Sequence, residues 1–184
     1  TGTRVNEDYL IEDVPYNLST YSEDFTTGWS NARTTETANQ IISPDGLNNG
    51  TLLEQQSGQT NAGSIYKGIN TSGTYTLSVF AKKQNKNFIV LYDANAARTY
   101  FNLNTGQIGT IAAGNTASIS SAGNGWYRCS TTFTVSSGAV IAFYVADTDN
   151  STTVTDSGGV YIWGAQLVKG DQPKDYLKTT DRLD

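Results

Sequence analysis

The segment 126–135 alternates between two kinds of side chain, which is the pattern of a half-buried β-strand, because successive residues of a strand point to opposite faces. A Gly-Asn-Gly turn at 123–125 leads into it. One face carries an apolar series that includes Cys129, and the other face begins with Trp126 and Arg128. We therefore expect the first face to lie in the core. The second face has the side chains to stack on, or hydrogen-bond to, a flat polar ligand.

Similar short segments recur along the chain at regular intervals, separated by turns rich in Gly, Asn, Ser and Thr. Besides the strand that begins at Trp126, the predicted strands are 51–56, 63–68, 73–83, 87–93, 99–103, 107–111, 117–120, 139–147 and 159–168. No segment has a convincing helical period. About ten short strands predict an all-β fold, a two-sheet antiparallel β-sandwich of the jelly-roll type with no substantial helix.

The two ends of the chain depart from this pattern. Residues 1–16 mix charges with isolated apolar residues, and we expect an extended arm or short strand there. In the segment 17–31 three aromatic residues are spaced by four, but a Thr-Thr-Gly triplet interrupts them, so a turn and a strand are the better interpretation. Residues 17–178 should form the sandwich, with a return strand near Tyr176, and 179–184 a connection onward. The chain contains no methionine, and we expect it to be a fragment of a longer protein.

Composition narrows the possible functions. A chain of 184 residues is long enough to bury a core as one domain. It contains no histidine, the commonest general base and metal ligand. Its net charge of −5 disfavours binding to nucleic acid or to an anionic membrane. It also lacks an apolar run of the ~20 residues that a membrane-spanning helix needs. We therefore expect no nucleic-acid partner and no membrane insertion.

Five motifs in order resemble a domain common in bacteriophage tail and fibre proteins, and the resemblance covers the chain from about residue 3 to its end. The motifs are Asn17-Leu18 with Tyr21-Ser22-Glu23-Asp24-Phe25 and Trp29, then Pro44-Asp45-Gly46, the strand 75–82, the segment 123–128, and the strand 160–167 followed by 175–180. The layout is also similar to jelly-roll carbohydrate-binding modules that bind cellulose and xylan.

The resemblance implies a non-catalytic module that recognises a polysaccharide or a cell-surface glycan, in a phage tail protein or beside a polysaccharide-active enzyme. It implies a location in the virion tail or outside the cell, and it allows a homo-oligomer formed through the parent protein. The alternative is a structural decoration or assembly module of a virion, with no sugar ligand. The strand at Trp163-Gly164-Ala165 lacks the acidic residues that hold structural calcium in some cellulose-type modules, so we expect no cofactor.

The segment 92–100 combines aromatic rings with amide, carboxylate and guanidinium groups around a tight connection. Sugars are bound by aromatic rings against their C–H faces and by polar groups at their hydroxyls, so this combination suits a glycan site. The candidate ligand-binding residues are Tyr92, Asn95, Arg98, Tyr100, Trp126 and Arg128, with Tyr144 and Asn87 as lesser candidates. An ordinary solvated loop at 92–100, and core packing of Trp126, are the alternatives.

The acidic residues and the one cysteine of the sequence do not indicate a catalytic site. A glycosidase holds two carboxylates ~5–9 Å apart across a cleft, and adjacent pairs such as Glu23-Asp24 cannot supply this geometry on a strand. We therefore expect no enzymatic activity. Asp147, Asp149 and Asp156 have the oxygen donors that calcium prefers, but a solvated loop is the favoured interpretation. Cys129 should be a buried, unreactive thiol.

Overall fold

The computed structural model describes residues 16–137 and 140–181 in full, together with the backbone of two short strands near the N-terminus. These strands, β1 (Thr3–Val5) and β2 (Ile11–Asp13), pair antiparallel. The rest of the predicted arm at 1–16 lies outside the described residues. No helix in the described part of the chain is long and apolar enough to cross a membrane.

Two six-stranded antiparallel sheets form the body of the protein. Their strands are β3 (Ser30–Ala32), β4 (Thr34–Ile41), β5 (Gly50–Gln55), β6 (Ser64–Gly68), β7 (Gly73–Lys83), β8 (Phe88–Tyr92), β9 (Arg98–Asn102), β10 (Gln107–Ile108), β11 (Thr116–Gly123), β12 (Trp126–Val135), β13 (Val140–Ala146) and β14 (Gly158–Lys169). Sheet I has the order β10-β9-β8-β13-β6-β3, and sheet II the order β11-β12-β7-β14-β5-β4. The predicted all-β sandwich of jelly-roll type is confirmed, with twelve strands in its sheets where about ten were expected.

One hydrophobic core fills the space between the sheets, because each strand turns one of its alternating faces inward. Leu77 and Val79 of β7, Leu91 of β8, and Cys129 and Phe133 of β12 are all buried in it. The predicted core face of the strand at 126–135 is therefore confirmed. Burial raises the pKa of the Cys129 thiol, which keeps it in the unreactive protonated form. Its lack of reactivity toward thiol reagents stays a prediction.

The strand β4 was not predicted from the sequence, and β3 was predicted only as a strand somewhere within 17–31. β4 is an edge strand of Thr, Glu, Asn and Gln with little apolar alternation, because one side of it faces solvent. A register break between Thr37 and Ile41 interrupts its pairing with β5, and Asn39 within that break has a positive φ of 60°. β3 has only three residues, too few to show a period.

The strand expected within 17–31 forms only at the end of that segment, where β3 begins at Ser30. The return strand expected near Tyr176 is absent, and that prediction is wrong. Residues 17–29 and the segment around Tyr176 are irregular, and both are fixed to β14 by hydrogen bonds. β14 pairs with β5 only as far as Ile162. Beyond Ile162, the N–H of Ala165 donates to the carbonyl of Ser22. The N-terminal segment therefore forms hydrogen bonds with backbone groups of β14 that β5 does not reach.

A single side chain, that of Asn17, organises this junction. Its amide nitrogen donates to the carbonyls of Ala165 (2.9 Å) and Leu177 (3.0 Å). Its amide oxygen accepts from the N–H groups of Leu167 (3.0 Å) and Ser19 (2.9 Å). The side chain is fully buried and uses its two donors and both acceptor positions. It joins the N-terminal segment, β14 and the C-terminal segment at one point.

The C-terminal segment 170–181 then crosses the outer face of sheet II. Gln166 donates to the carbonyls of Lys174 (3.3 Å) and Asp175 (3.2 Å) and accepts from the N–H of Leu177 (2.8 Å). Tyr176 covers Trp163, with their ring centroids 4.6 Å apart. This part of the outer face of sheet II is therefore covered by the chain itself.

We predict that Asn17→Ala destabilises the protein by at least about 3 kcal/mol, because it leaves several buried backbone groups without a partner. Chemical denaturation measures the change. Asn48→Ala is the matched control, since exposed Asn48 makes one hydrogen bond, to the carbonyl of Asn39. An effect of Asn17→Ala no larger than that of Asn48→Ala would contradict the role assigned to Asn17.

Candidate functional site

The outer face of sheet I carries a row of aromatic and polar side chains on neighbouring strands. Tyr92 of β8 is paired with Arg98 of β9 on one side and with Ala142 of β13 on the other. Ala142 is paired in turn with Tyr66 of β6. Tyr144, two residues after Ala142, lies on the same face. The row therefore runs across four strands, of which β8 and β9 are consecutive and β6 and β13 are distant from them in sequence.

Arg98, at the β9 end of this row, contacts two tyrosine rings that also contact each other. The central carbon of its guanidinium is 5.1 Å from the ring centroid of Tyr92 and 5.4 Å from that of Tyr144. The two ring centroids are themselves 5.6 Å apart, with their planes inclined at 53°. All three side chains are half-buried. Cation–π contacts of this kind, together with the ring packing, hold the guanidinium in a fixed orientation. We call these three residues the tyrosine–arginine cluster.

Tyr66 extends the aromatic surface beyond the cluster. It is half-buried, and the small side chain of Ala142 separates it from Tyr92. Because neighbouring strands are ~4.8 Å apart, the backbones at the two tyrosines are about 10 Å apart. Phe88, half-buried on the same face of β8, lies toward the other end of that strand. The face therefore offers several partly exposed rings along one surface.

The β9 side of the face is closed by a loop. Asp149 accepts hydrogen bonds from the N–H (2.8 Å) and hydroxyl (3.1 Å) of Thr110, whose carbonyl accepts from the N–H of Tyr100. Tyr100 is only 3% exposed. Burial raises the pKa of its hydroxyl; the charge of Arg98 opposes that shift and the charge of Asp149 adds to it. Tyr100 thus supports the cluster from beside it.

The turn between β8 and β9 sets the positions of Tyr92 and Arg98. The carboxylate of Asp93 accepts from the N–H groups of Asn95 (2.8 Å) and Ala97 (3.0 Å), and from the amide of Asn115 (2.6 Å). The amide of Asn95 donates to the carbonyl of Thr134 in sheet II (2.9 Å). Asn95 therefore ties the two sheets together, on the other side of the turn from the tyrosine–arginine cluster.

The structure brings together only part of the predicted site. Of the six candidates, Tyr92 and Arg98 are in contact, and Tyr100 lies beside them but is buried. The lesser candidate Tyr144 belongs to the cluster. The amide of Asn95 donates to the backbone of sheet II and does not take part in the cluster. Trp126 and Arg128 lie on sheet II, on the opposite side of the sandwich.

Trp126 and Arg128 do not lie on an open face, and their predicted contact with a ligand stays a prediction. Trp126 is 1% exposed, and its indole N–H donates to the carbonyl of Ile42 in the β4–β5 loop (3.0 Å). Arg128 packs its guanidinium on Phe80 and donates to the carbonyl of Lys174 in the C-terminal segment (2.6 Å). Alternation had placed both residues on the outer face of their strand correctly. Segments distant in sequence then cover that face.

Two of the acidic residues near 147–156, Asp147 and Asp149, are engaged with other groups of the protein. One oxygen of Asp147 pairs with the buried ammonium of Lys86, and the other accepts from the N–H and hydroxyl of Thr155 (both 2.7 Å). The carboxylate of Asp149 accepts hydrogen bonds from the N–H and the hydroxyl of Thr110. In the described part of the chain no group of three or more His, Cys, Asp or Glu side chains is placed to share a cation. The ion pair of Asp147 and the hydrogen bonds of both carboxylates hold the loop that follows β13 in place.

Comparison with known proteins returns structural neighbours alone. No family model matches the sequence, and no curated protein sequence matches it. Among solved structures, the enzymatically active domain of tailspike protein 4 of bacteriophage CBA120 is similar at 15% identity and a TM-score of 0.46, over 82% of this chain and 21% of that one. The chain thus spans about a fifth of that tailspike structure.

Two xylan-related structures are similar as well. The xylan-binding domain CBM22-1 of Paenibacillus barcinonensis Xyn10C matches 84% of this chain and 92% of its own, at 14% identity and a TM-score of 0.40. The CBM22-1–GH10 modules of Clostridium thermocellum xylanase 10B, complexed with xylohexaose, match 85% of this chain and 28% of theirs, at 16% identity and a TM-score of 0.43. The neighbours are thus of the two kinds that the motifs resemble. Similarity at this level adds nothing to the fold that the strand order already shows.

We predict that Asp147→Asn lowers the stability by about 3 kcal/mol, because it leaves the buried ammonium of Lys86 without its carboxylate. Burial alone would raise the pKa of Asp147, but hydrogen bonds from Lys86 and Thr155 outweigh it and the pKa is lowered. The stabilisation by Asp147 should therefore be present above the ordinary carboxyl pKa and be lost as the pH falls through the lowered value.

Thermal unfolding between pH 7 and pH 3 measures both effects. Asp156→Asn is the matched control, because Asp156 is exposed and accepts only from the N–H of its neighbour Ser157. The double variant Lys86→Met with Asp147→Asn should recover part of the loss. Equal stability of the two single variants would contradict the assignment.

Proposed function

We propose that this protein is a non-catalytic module that binds a polysaccharide or cell-surface glycan on the outer face of sheet I. The observation that carries the proposal is the tyrosine–arginine cluster, in which two partly exposed rings contact each other and one guanidinium. Ring faces pack against the C–H faces of sugars, and guanidinium N–H groups donate to their oxygens. Tyr66 and Phe88 give this surface the length that suits an extended chain.

The chemistry of the flanking acids supports a binding role without catalysis. Asp93 is buried and engaged on both oxygens, and Asp149 is engaged with Thr110. A glycosidase needs one carboxyl group as acid and a second as base or nucleophile, both directed at the glycosidic bond. These two carboxylates instead hold loops in place.

The order of the five sequence motifs supports a parent protein in a phage tail, and hence a location in the virion tail or outside the cell. Several copies would then be displayed together, in a homo-oligomer formed through the parent. Binding at each site is weak on this proposal, because sugar hydroxyls exchange hydrogen bonds with water for similar bonds with protein. Multivalent display raises the overall affinity. The acidic net charge supports a partner other than nucleic acid or an anionic membrane.

A second candidate function is a structural module of a virion that binds no sugar. It is favoured by Ile42 and Leu47, which are 60% and 62% exposed in the loop between β4 and β5. Exposed aliphatic residues on an ordered loop are suited to contact with a neighbouring protein chain. This loop lies on sheet II, so the two functions involve different surfaces and can be tested separately.

We predict that Tyr92→Ala and Tyr144→Ala each weaken retention about three- to tenfold in affinity gels containing the bound polysaccharide, because each removes one ring face. Tyr161→Ala is the matched control, since it truncates a half-buried tyrosine on sheet II. Thermal unfolding of each variant shows whether the fold is kept.

Three outcomes would count against the proposal. Unchanged retention by folded Tyr92→Ala and Tyr144→Ala proteins would place the site elsewhere. Retention on no polysaccharide would favour the structural module. Release of reducing ends from a bound polysaccharide, abolished by one Asp or Glu substitution, would contradict the non-catalytic role.

A further inference from the structure

The guanidinium of Arg98 differs from those of the other two arginines whose side chains the structure describes. Arg33 donates to the carbonyl of Ala62 (3.0 Å), and Arg128 donates to the carbonyl of Lys174 (2.6 Å). Arg98 has no protein acceptor among the described residues, and its Nε is buried without a hydrogen-bond partner. The ion pairs of the described residues involve Lys86 and Lys178. The charge of Arg98 is therefore not matched by a described carboxylate.

The surroundings of Arg98 hold this charge in place. Tyr92 and Tyr144 pack against it, at 5.1 and 5.4 Å from their ring centroids, so the guanidinium is oriented before a ligand arrives. The negative charge of Asp149 acts at this end of the face, where it raises the pKa of Tyr100. Both oxygens of Asp149 accept hydrogen bonds from Thr110. An arginine keeps its charge at any ordinary pH. The β9 end of the face thus carries a cation packed against two rings, on a protein of net charge −5.

We propose that this site selects an acidic glycan, in which a sugar carboxylate pairs with the guanidinium of Arg98 while the sugar ring lies against Tyr92 or Tyr144. This inference rests on the proposed glycan-binding function and names its ligand class. A planar guanidinium matches a carboxylate with two parallel hydrogen bonds, which are shorter and stronger than those to a neutral hydroxyl. The orientation imposed by the two rings reduces the entropy lost when the pair forms.

The test uses polygalacturonate, alginate and glucuronoxylan as probes, each beside the same polymer after chemical reduction of its carboxyl groups. Affinity gels measure the retention of the wild-type protein and three variants. Arg98→Gln removes the charge at the site, Arg98→Lys keeps the charge but loses the planar fork, and Lys174→Gln removes an exposed charge on the other sheet as the matched control. Thermal unfolding verifies that each variant is folded.

We expect at least one acidic polymer to be retained about tenfold more strongly than its reduced form, and that preference to fall as salt screens the charges. Arg98→Gln should remove the preference, because it lowers retention on the acidic polymer much more than on the reduced one. Arg98→Lys should keep part of the preference, and Lys174→Gln should leave it unchanged.

Two results would overturn this inference while the proposed function stands. One is equal retention of an acidic polymer and its reduced form, with retention still dependent on Tyr92. The other is an equal loss on both forms in Arg98→Gln, which would show that Arg98 only positions the rings. Retention on no polymer, acidic or neutral, would overturn the proposed function and this inference with it.

Discussion

The bulge in β14 is the constraint on which the arrangement of this protein depends. The pairing of β14 with β7 breaks between Trp163 and Gln166, and Gly164 within the break has a φ of +63°, a conformation that side chains other than glycine rarely adopt. A Cβ at Gly164 would also lie 3.0 Å from the ring of Phe80. The bulge redirects β14 so that Ala165 and Leu167 present backbone groups to the side that β5 has left.

The buried side-chain amides of Asn17 and Gln166 form hydrogen bonds with backbone groups of the segments that meet at this bulge. Asn17 joins β14 to both terminal segments, and Gln166 holds the C-terminal segment against sheet II. The resulting asymmetry decides where a ligand could bind. Tyr176 covers Trp163 and Phe80 on sheet II, whereas Tyr92 and Tyr144 on sheet I remain half-exposed. The motif residues at both ends of the sequence therefore build the scaffold, and the open aromatic surface lies in the part of the chain between them.

Sequence reasoning succeeded where alternation alone decides the outcome. It placed Cys129 in the core and Arg128 on the opposite face of the same strand, because the period of a strand fixes the face of each residue. It failed for Trp126, since a strand pattern shows which face a side chain takes and not which loop later covers that face. It also missed β4, whose polar sequence reflects its position at the edge of a sheet.

The candidate site also could be predicted from the sequence only in part. Tyr92 and Arg98 flank one tight turn, so their proximity could be predicted from the sequence. Tyr144 was a lesser candidate and Tyr66 none, because their place beside Tyr92 depends on β13 lying between β8 and β6. That order is a property of the whole sandwich, and no local pattern encodes it.

A surface built this way is rigid, since Tyr92 and Tyr144 stand on central strands and the cation packs against both of their rings. Rigidity lowers the entropy lost on binding, but it leaves little freedom to adapt to ligands of different shape. Discrimination between ligands must then come from the fixed chemistry of the face. Among the outward side chains of the described sheet I strands that make up the candidate site, Arg98 carries the charge, so on the proposed function the position of this guanidinium would set which sugars fit the face.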